Sequence, residues 1–207
     1  MKLSGLVFSD VDIENKSVLS DGFMKLWRYR LRHRLFNGKT SELVEREVIA
    51  RPNSVGVMLY DPVKRALILV EQFRIGPFIT EDDPWLLEVV AGIAEPGESL
   101  QNTAYREVLE ETNCKVIKLI PIMDFYMTPG GSNERMKLYC GIADASCAEG
   151  VFGVETEGED IKVHVIPFEE ACDMIEDGRI ANATTVIAIQ WLKMHHREVT
   201  IPVTMAG

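Results

Sequence analysis

A cluster of three glutamates constrains this chain more than any other feature. Glu107, Glu110 and Glu111 stand at i, i+3 and i+4 within Arg106-Glu107-Val108-Leu109-Glu110-Glu111, and at about 100° per residue they share one side of a helix. With Leu100 at zero on the helical wheel, Ala104 falls at about 40°, Val108 at about 80° and Glu111 at about 20°. Glu111 therefore lies on the apolar stripe that must face a core. A carboxylate run in an acidic chain is ordinarily a solvated helix face, but this one has a member on the buried side. Like charges at i, i+4 repel, and burying one without a partner is costly, so something cationic has to compensate. A hard divalent ion with oxygen ligands is the simplest candidate.

The preceding loop points the same way. Gly92 and Gly97 bracket a turn containing Pro96, where glycine permits close backbone approach and carbonyl oxygens can join carboxylates around an ion. Ser99 is placed to N-cap the helix, and Asn113 follows its last turn, where asparagine tolerates the left-handed conformation. The full pattern, G-x5-E-x7-R-E-V-L-E-E-T-N-C, resembles the Nudix hydrolase box, and every charged position matches. Two positions depart. Asn113 replaces the final glycine and Cys114 the last aliphatic residue, which bears on helix termination and packing more than on chemistry.

Composition is compatible with such a site. With 207 residues the chain can bury a real core, as one domain plus an elaboration. A formal net charge of −10 argues against nucleic acid as a partner, whereas an acidic protein can still bind a phosphate compound through metal ions. Cys114, Cys140, Cys147 and Cys172 form no C-x-x-C pair and read as reduced packing residues of a cytoplasmic protein. No apolar run approaches the ~20 residues of a membrane span, and no signal peptide is expected. His33, His164, His195 and His196 match no metal-binding spacing and read as structural or surface residues.

Two regions are expected, an N-terminal β unit over residues 1–50 and a larger domain over 51–207. In the first, Trp27-Arg28-Tyr29-Arg30-Leu31-Arg32 alternates apolar and basic, and Asn37-Gly38 signals a two-residue hairpin turn leading into residues 41–49. Arg28, Arg30, Arg32 and Arg34 could suggest polyanion binding, but acidic partners opposite them on a strand face are the better reading. In the second, strands are expected at residues 55–60, 66–74, 85–90, 115–126, 135–142 and 161–166, with helices near 168–176 and 183–195, the last N-capped by Asn182. This order implies an α/β fold, an α/β/α sandwich with helices on both faces of a mixed sheet, which the Nudix resemblance also implies.

The resemblance extends further. Arg34-Leu35-Phe36-Asn37-Gly38, Trp85-Leu86-Leu87-Glu88, the stretch Thr128-Pro129-Gly130-Gly131-Ser132-Asn133-Glu134-Arg135 and Glu157-Gly158-Glu159-Asp160 are similar to the bacterial ADP-ribose pyrophosphatase branch of the family, for which Pro129 looks like a mark. As local structure Pro129 also begins an ordinary turn. The branch implies magnesium-dependent hydrolysis of ADP-ribose to AMP and ribose 5-phosphate, with Mg2+ or Mn2+ and two or three ions per site. By resemblance the metal ligands are Glu107, Glu111, Glu110 and the backbone carbonyl of Ala91. Arg106, at about 240° on the helical wheel, is expected to pair a carboxylate such as Glu98. The catalytic glutamate is Glu157, with Glu159 as the fallback, in a loop able to close over substrate. Arg74 resembles the phosphate-contacting arginine, Pro129 and Glu134 belong to the substrate side, and Phe23, Arg46 and Glu47 match adenine contacts in the N-terminal unit. In the family that unit is exchanged between subunits, so a homodimer is implied. Two other readings remain: hydrolysis of another nucleoside diphosphate sugar such as GDP-mannose, or a non-catalytic ADP-ribose-binding regulator. The regulator would need a broken box, and here the charged box is intact.

Overall fold

The computed structural model describes residues 3–154, 156, 158–196 and 198–199, and its chain contacts divide it into two units. One contains residues up to 52 together with 126–135. It holds an antiparallel sheet of β1 (Val11–Asp21), β2 (Lys25–His33) and β3 (Val44–Ala50) in that order. Side chains alternate along β2, so Trp27, Tyr29 and Leu31 share one face and Arg28, Arg30 and Arg32 the other. The arginines meet acids across the strands: Arg28 lies opposite Glu47 with Nη2 2.8 Å from its carboxylate, Arg30 opposite Glu45 at 3.4 Å, and Arg32 reaches Glu14 at 2.9 Å. Solvent-exposed pairs of this kind contribute about 0–1 kcal/mol each and mainly set register.

Two features of this unit depart from expectation. Strand β1 is exposed along its whole length, and irregularities between Ile13 and Asn15 and between Val18 and Ser20 break the alternation by which a strand is read from sequence. The Asn37-Gly38 turn exists, with Gly38 at φ 81° and its N–H donating to the Leu35 carbonyl, yet it does not form a two-residue hairpin. The arms close on a wider loop, with the Leu35 N–H donating to the Lys39 carbonyl, a bridge between Arg34 and Thr40 and the Ser41 N–H donating to the His33 carbonyl, and β3 itself starts only at Val44. The segment 126–135 joins β3 through a bridge between Ile49 and Ser132.

The second unit contains residues 53–125 and those from 136 onward. Its elements are β4 (Ser54–Asp61), β5 (Ala66–Phe73), α1 (Ile75–Ile79), β6 (Trp85–Glu88), β7 (Val90–Ile93), α2 (Leu100–Thr112), β8 (Lys118–Tyr126), β9 (Arg135–Ile142), β10 (Val151–Phe152), β11 (Ile161–Pro167), α3 (Phe168–Glu176) and α4 (Ala183–His195). They build a mixed sheet in the order β10-β11-β5-β4-β9-β8, parallel between β4 and β9, with β6 beside β5 and β7 beside β4.

Strands β4 and β5 read as continuous apolar runs because both faces of the sheet are covered. Val55, Val57, Leu59, Ile68 and Val70 pack with Ala104 and Val108 of α2. Met58, Tyr60, Leu67 and Leu69 pack on the other face with Phe168, Ala171 and Met174 of α3 and Ala188, Ile189 and Leu192 of α4. Each fully buried aliphatic side chain contributes about 1.5–3 kcal/mol, so the two cores hold α2 against one face and α3 and α4 against the other. The result is the expected α/β/α sandwich.

The strand expected at residues 85–90 is two strands. The chain leaves β5 and joins β4 at Val89, and the start of α4 fixes that change. Asn182 Nδ2 donates to the Leu87 carbonyl at 2.7 Å, and the Val89 N–H donates to Thr185 Oγ1 at 2.9 Å. The short α1 was also not expected; at five residues it is too short for helical periodicity to register. No helix among the described residues is long and apolar enough to cross a membrane.

Candidate active site

Helix α2 begins and ends as its sequence dictates. Ser99 Oγ accepts from the Asn102 N–H, and Asn113 adopts φ 54° with its N–H bonded to the Leu109 carbonyl. Between these caps the buried stripe runs through Ala104 and Val108 to Glu111, which is 2% exposed. Burial, then the neighbouring charges of Glu107 and Glu159, pushes the Glu111 carboxyl up to about 9, with Arg74 and a backbone hydrogen bond from Ala91 opposing. Its Oε2 is buried and has no hydrogen-bond partner. Burial likewise raises Glu107, against the pull of Arg106.

Gly92 is required here by space. A Cβ at this position would lie 1.9 Å from both Cδ and Oε1 of Glu107, so the Glu107 carboxylate occupies the volume that any other residue would fill. Strand β7 sets Gly92 opposite Val55 and Ala91 opposite Gly56 on β4, carrying the glycine loop to the helix.

Arg106 ties the loop to the helix. Its guanidinium donates to Glu98 through Nε at 3.1 Å and Nη2 at 3.0 Å, to the Ile93 carbonyl at 3.2 Å and to Glu110 at 3.0 Å, and it lies 2.9 Å from Glu107. These bonds hold the Glu98 carboxyl at about 2, helped by the Glu95 N–H and Thr103 Oγ1, and raise Arg106 above its ordinary value. The expected pairing of Arg106 with Glu98 is present. Its reach to Glu107 and Glu110 was not read from the helical wheel, because a long side chain covers more of a helix surface than its Cα angle suggests.

Arg74 ends the apolar run of β5, and its Nε and Nη2 meet Glu88 Oε2 at 2.8 and 2.7 Å. Its charge acts on Glu111. Glu159 acts on both Glu107 and Glu111, while its Oε2 accepts from the Val154 N–H at 3.0 Å. Gly153 makes room for it, since a Cβ there would approach Glu159 Cβ to 2.7 Å. The structure thus brings together Ala91, Glu107, Glu110, Glu111, Arg106 and Arg74. Glu157 lies outside the described residues.

The remaining expected residues belong to the other unit. Phe23 is 94% exposed, beyond β1, and takes no part in a core. Arg46 and Glu47 are neighbours on β3 and point to opposite faces, Arg46 bonding the Glu45 carbonyl and Glu47 pairing Arg28. Glu134 pairs Arg51 at 3.3 Å, and Pro129 lies in the segment that joins β3.

The donor set fits a hard cation: every side-chain ligand candidate is a carboxylate, one oxygen of Glu111 is buried and unpaired, and Gly92 admits the Glu107 carboxylate against β7. Among the described residues no three acidic, histidine or cysteine side chains form a ready-made cation cage, and Arg106 engages Glu107 and Glu110. Sequence reasoning missed Glu88, Gln72 and Thr185. The signal for the first two was a polar residue inside an apolar strand run; Thr185 had none, because its partner is the Val89 N–H.

A family model described as NUDIX domain matches residues 50–188. An ADP-ribose pyrophosphatase of Escherichia coli strain K12 is 44% identical over 189 residues, covering 91% of this chain and 90% of the relative. An ADP-ribose pyrophosphatase of Haemophilus influenzae is 38% identical over 192 residues, covering 91% and 88%. A GDP-mannose pyrophosphatase of Pectobacterium atrosepticum is 34% identical over 186 residues, covering 88% and 93%. A solved structure, "Crystal structure of ADP compounds hydrolase", superposes with a TM-score of 0.67 at 24% identity, covering 91% of this chain and 97% of that one, and bears on the fold alone.

Proposed function

The chain belongs to the NUDIX family, and from that membership and the buried carboxylate cluster we propose that it hydrolyses the diphosphate bond of ADP-ribose to AMP and ribose 5-phosphate. One observation carries the chemistry. Glu111 is a buried acid with an unpaired oxygen beside Glu107, an arrangement unfavourable in isolation and suited to a cation with oxygen ligands. The substrate assignment is supported by relatives called ADP-ribose pyrophosphatase at 44% and 38% identity, against 34% for one called GDP-mannose pyrophosphatase.

In this reading Glu107, Glu111, Glu110 and the Ala91 carbonyl hold Mg2+ or Mn2+, two or three ions in all. When bound, the metal neutralises the diphosphate oxygens and orients water for attack. Arg106 keeps the loop and the helix in register through Glu98. Arg74, steered by Glu88, donates to a phosphate oxygen, and its place beside Glu111 supports this role. Glu157 takes the proton from the attacking water; Glu159 is the weaker candidate because its carboxylate already serves the Val154 N–H. Phe23, Arg46 and Glu47 contact adenine, and Pro129 and Glu134 contribute to the substrate side. A homodimer that covers the exposed apolar residues Val11, Ile13, Val18 and Leu19 of β1 is part of the proposal, as is a cytoplasmic location, in keeping with free thiols at Cys140 and Cys172.

Product analysis on ADP-ribose in oxygen-18 water, with and without Mg2+, tests the reading. The expected result is AMP and ribose 5-phosphate only when the cation is present, with label in a single phosphate product. Preference for GDP-mannose in a parallel substrate panel, or no turnover of either, would overturn it.

A further inference from the structure

Two buried side-chain atoms among the described residues have no hydrogen-bond partner, and they are complementary: Glu111 Oε2, an acceptor, and Gln72 Nε2, a donor. Gln72 is 8% exposed and interrupts the apolar run of β5. Its direction follows from the sheet. Ile68 and Val70 face α2 in the core that contains Ala104 and Val108, so the period of two sends Gln72 and Arg74 to that same face. The neighbouring strands agree. Val163 of β11 lies opposite Val70, and both belong to this core, as does Ile161, two residues further along β11 and level with Gln72. Gln72 therefore lies on the sheet face that α2 covers, between Val70 and Arg74, whose charge is felt at Glu111.

We propose that Gln72 is a positioning residue for Glu111, its Nε2 donating to the Glu111 carboxylate when that group is ionised and holds a cation. The inference rests on the cation reading of Glu111 given above. A neutral amide suits this place: it stabilises the ionised carboxylate and fixes its orientation without adding a positive charge that would compete with the metal. A hydrocarbon of the same size would fill the space equally well but give the carboxylate nothing.

Mn2+ binding to the substrate-free protein, followed by electron paramagnetic resonance, separates this role from packing. Gln72→Met and Gln72→Leu remove the donor and keep the space apolar. Both are expected to weaken Mn2+ binding about tenfold while the melting temperature of the cation-free protein stays level or rises, because a buried unpaired amide has gone. Mn2+ affinity within twofold of wild type in both variants would overturn the proposal, as would a lowered melting temperature with unchanged affinity. Glu111→Gln is the control: if it binds Mn2+ as well as wild type, the cation reading of Glu111 is itself wrong and this inference falls with it. A loss in Glu111→Gln with none in the Gln72 variants leaves that reading standing and removes only Gln72.

Discussion

Replacing Gly92 by alanine would separate folding from chemistry with one methyl group. The added Cβ would lie 1.9 Å from Cδ and Oε1 of Glu107 and 2.5 Å from Oε2, whereas ordinary van der Waals contact begins at 3.4 Å. The carboxylate must therefore retreat by about 1.5 Å, and it can, being the end of a flexible side chain. Its anchor at Arg106 Nη1, 2.9 Å away, would be stretched or exchanged. The backbone of β7 and its pairing with β4 need not move, so stability should fall by no more than about 1 kcal/mol. Catalysis should suffer far more, because a misplacement of about 1 Å in a catalytic constellation can cost ~100-fold. The assay is turnover of ADP-ribose at saturating Mg2+, read beside thermal unfolding, with Gly76→Ala as the control since nothing lies within 4 Å of its missing Cβ. Activity of Gly92→Ala within threefold of wild type would refute the reasoning, and so would loss of both activity and fold.

Glu111→Gln should lower turnover by orders of magnitude and also change the pH dependence of stability. The folded carboxyl is raised to about 9, above its ordinary value of 4.5, so its favourable contribution is complete below about pH 4.5 and is lost as pH rises through about 9. Cation-free wild type should therefore lose melting temperature between pH 6 and pH 9 more steeply than Glu111→Gln, and parallel curves would contradict this. Thr185→Val leaves the buried Val89 N–H without its acceptor, with an expected loss of about 1–3 kcal/mol in denaturant unfolding; a change below about 0.5 kcal/mol would mean the strand switch is held by other contacts. Glu157→Gln should slow hydrolysis while leaving substrate affinity nearly intact, and an unchanged rate would transfer the proton-accepting role to Glu159 or to water.

Much of the site could be read from spacing because its parts are local in sequence. Ser99, Arg106, Glu107, Glu110, Glu111 and Asn113 lie on one helix and its caps, and helical geometry alone predicts which of them share a face. The same holds for the sandwich: unbroken stretches without a charged residue, such as 55–60 in β4 and 66–70 in β5, are expected when both faces of a sheet are covered. Other features involve partners distant in the chain, and periodicity carries no information about them. The division of residues 85–93 between β5 and β4 depends on Asn182 and Thr185, nearly a hundred positions downstream. Strand β1 escaped notice because neither of its faces is buried, so nothing imposed an alternating pattern.

Local rules thus determined that α2 forms, where it is capped, and that Glu111 lies on its inner stripe, because residues three and four apart are neighbours whatever surrounds them. Only the assembled sheet decided what else Glu111 meets there: the Ala91 backbone, the charges of Arg74 and Glu159, and the burial that helps push its carboxyl to about 9. Burial and proximity between separate strands are properties of packing, and packing exists only once the chain has closed on itself.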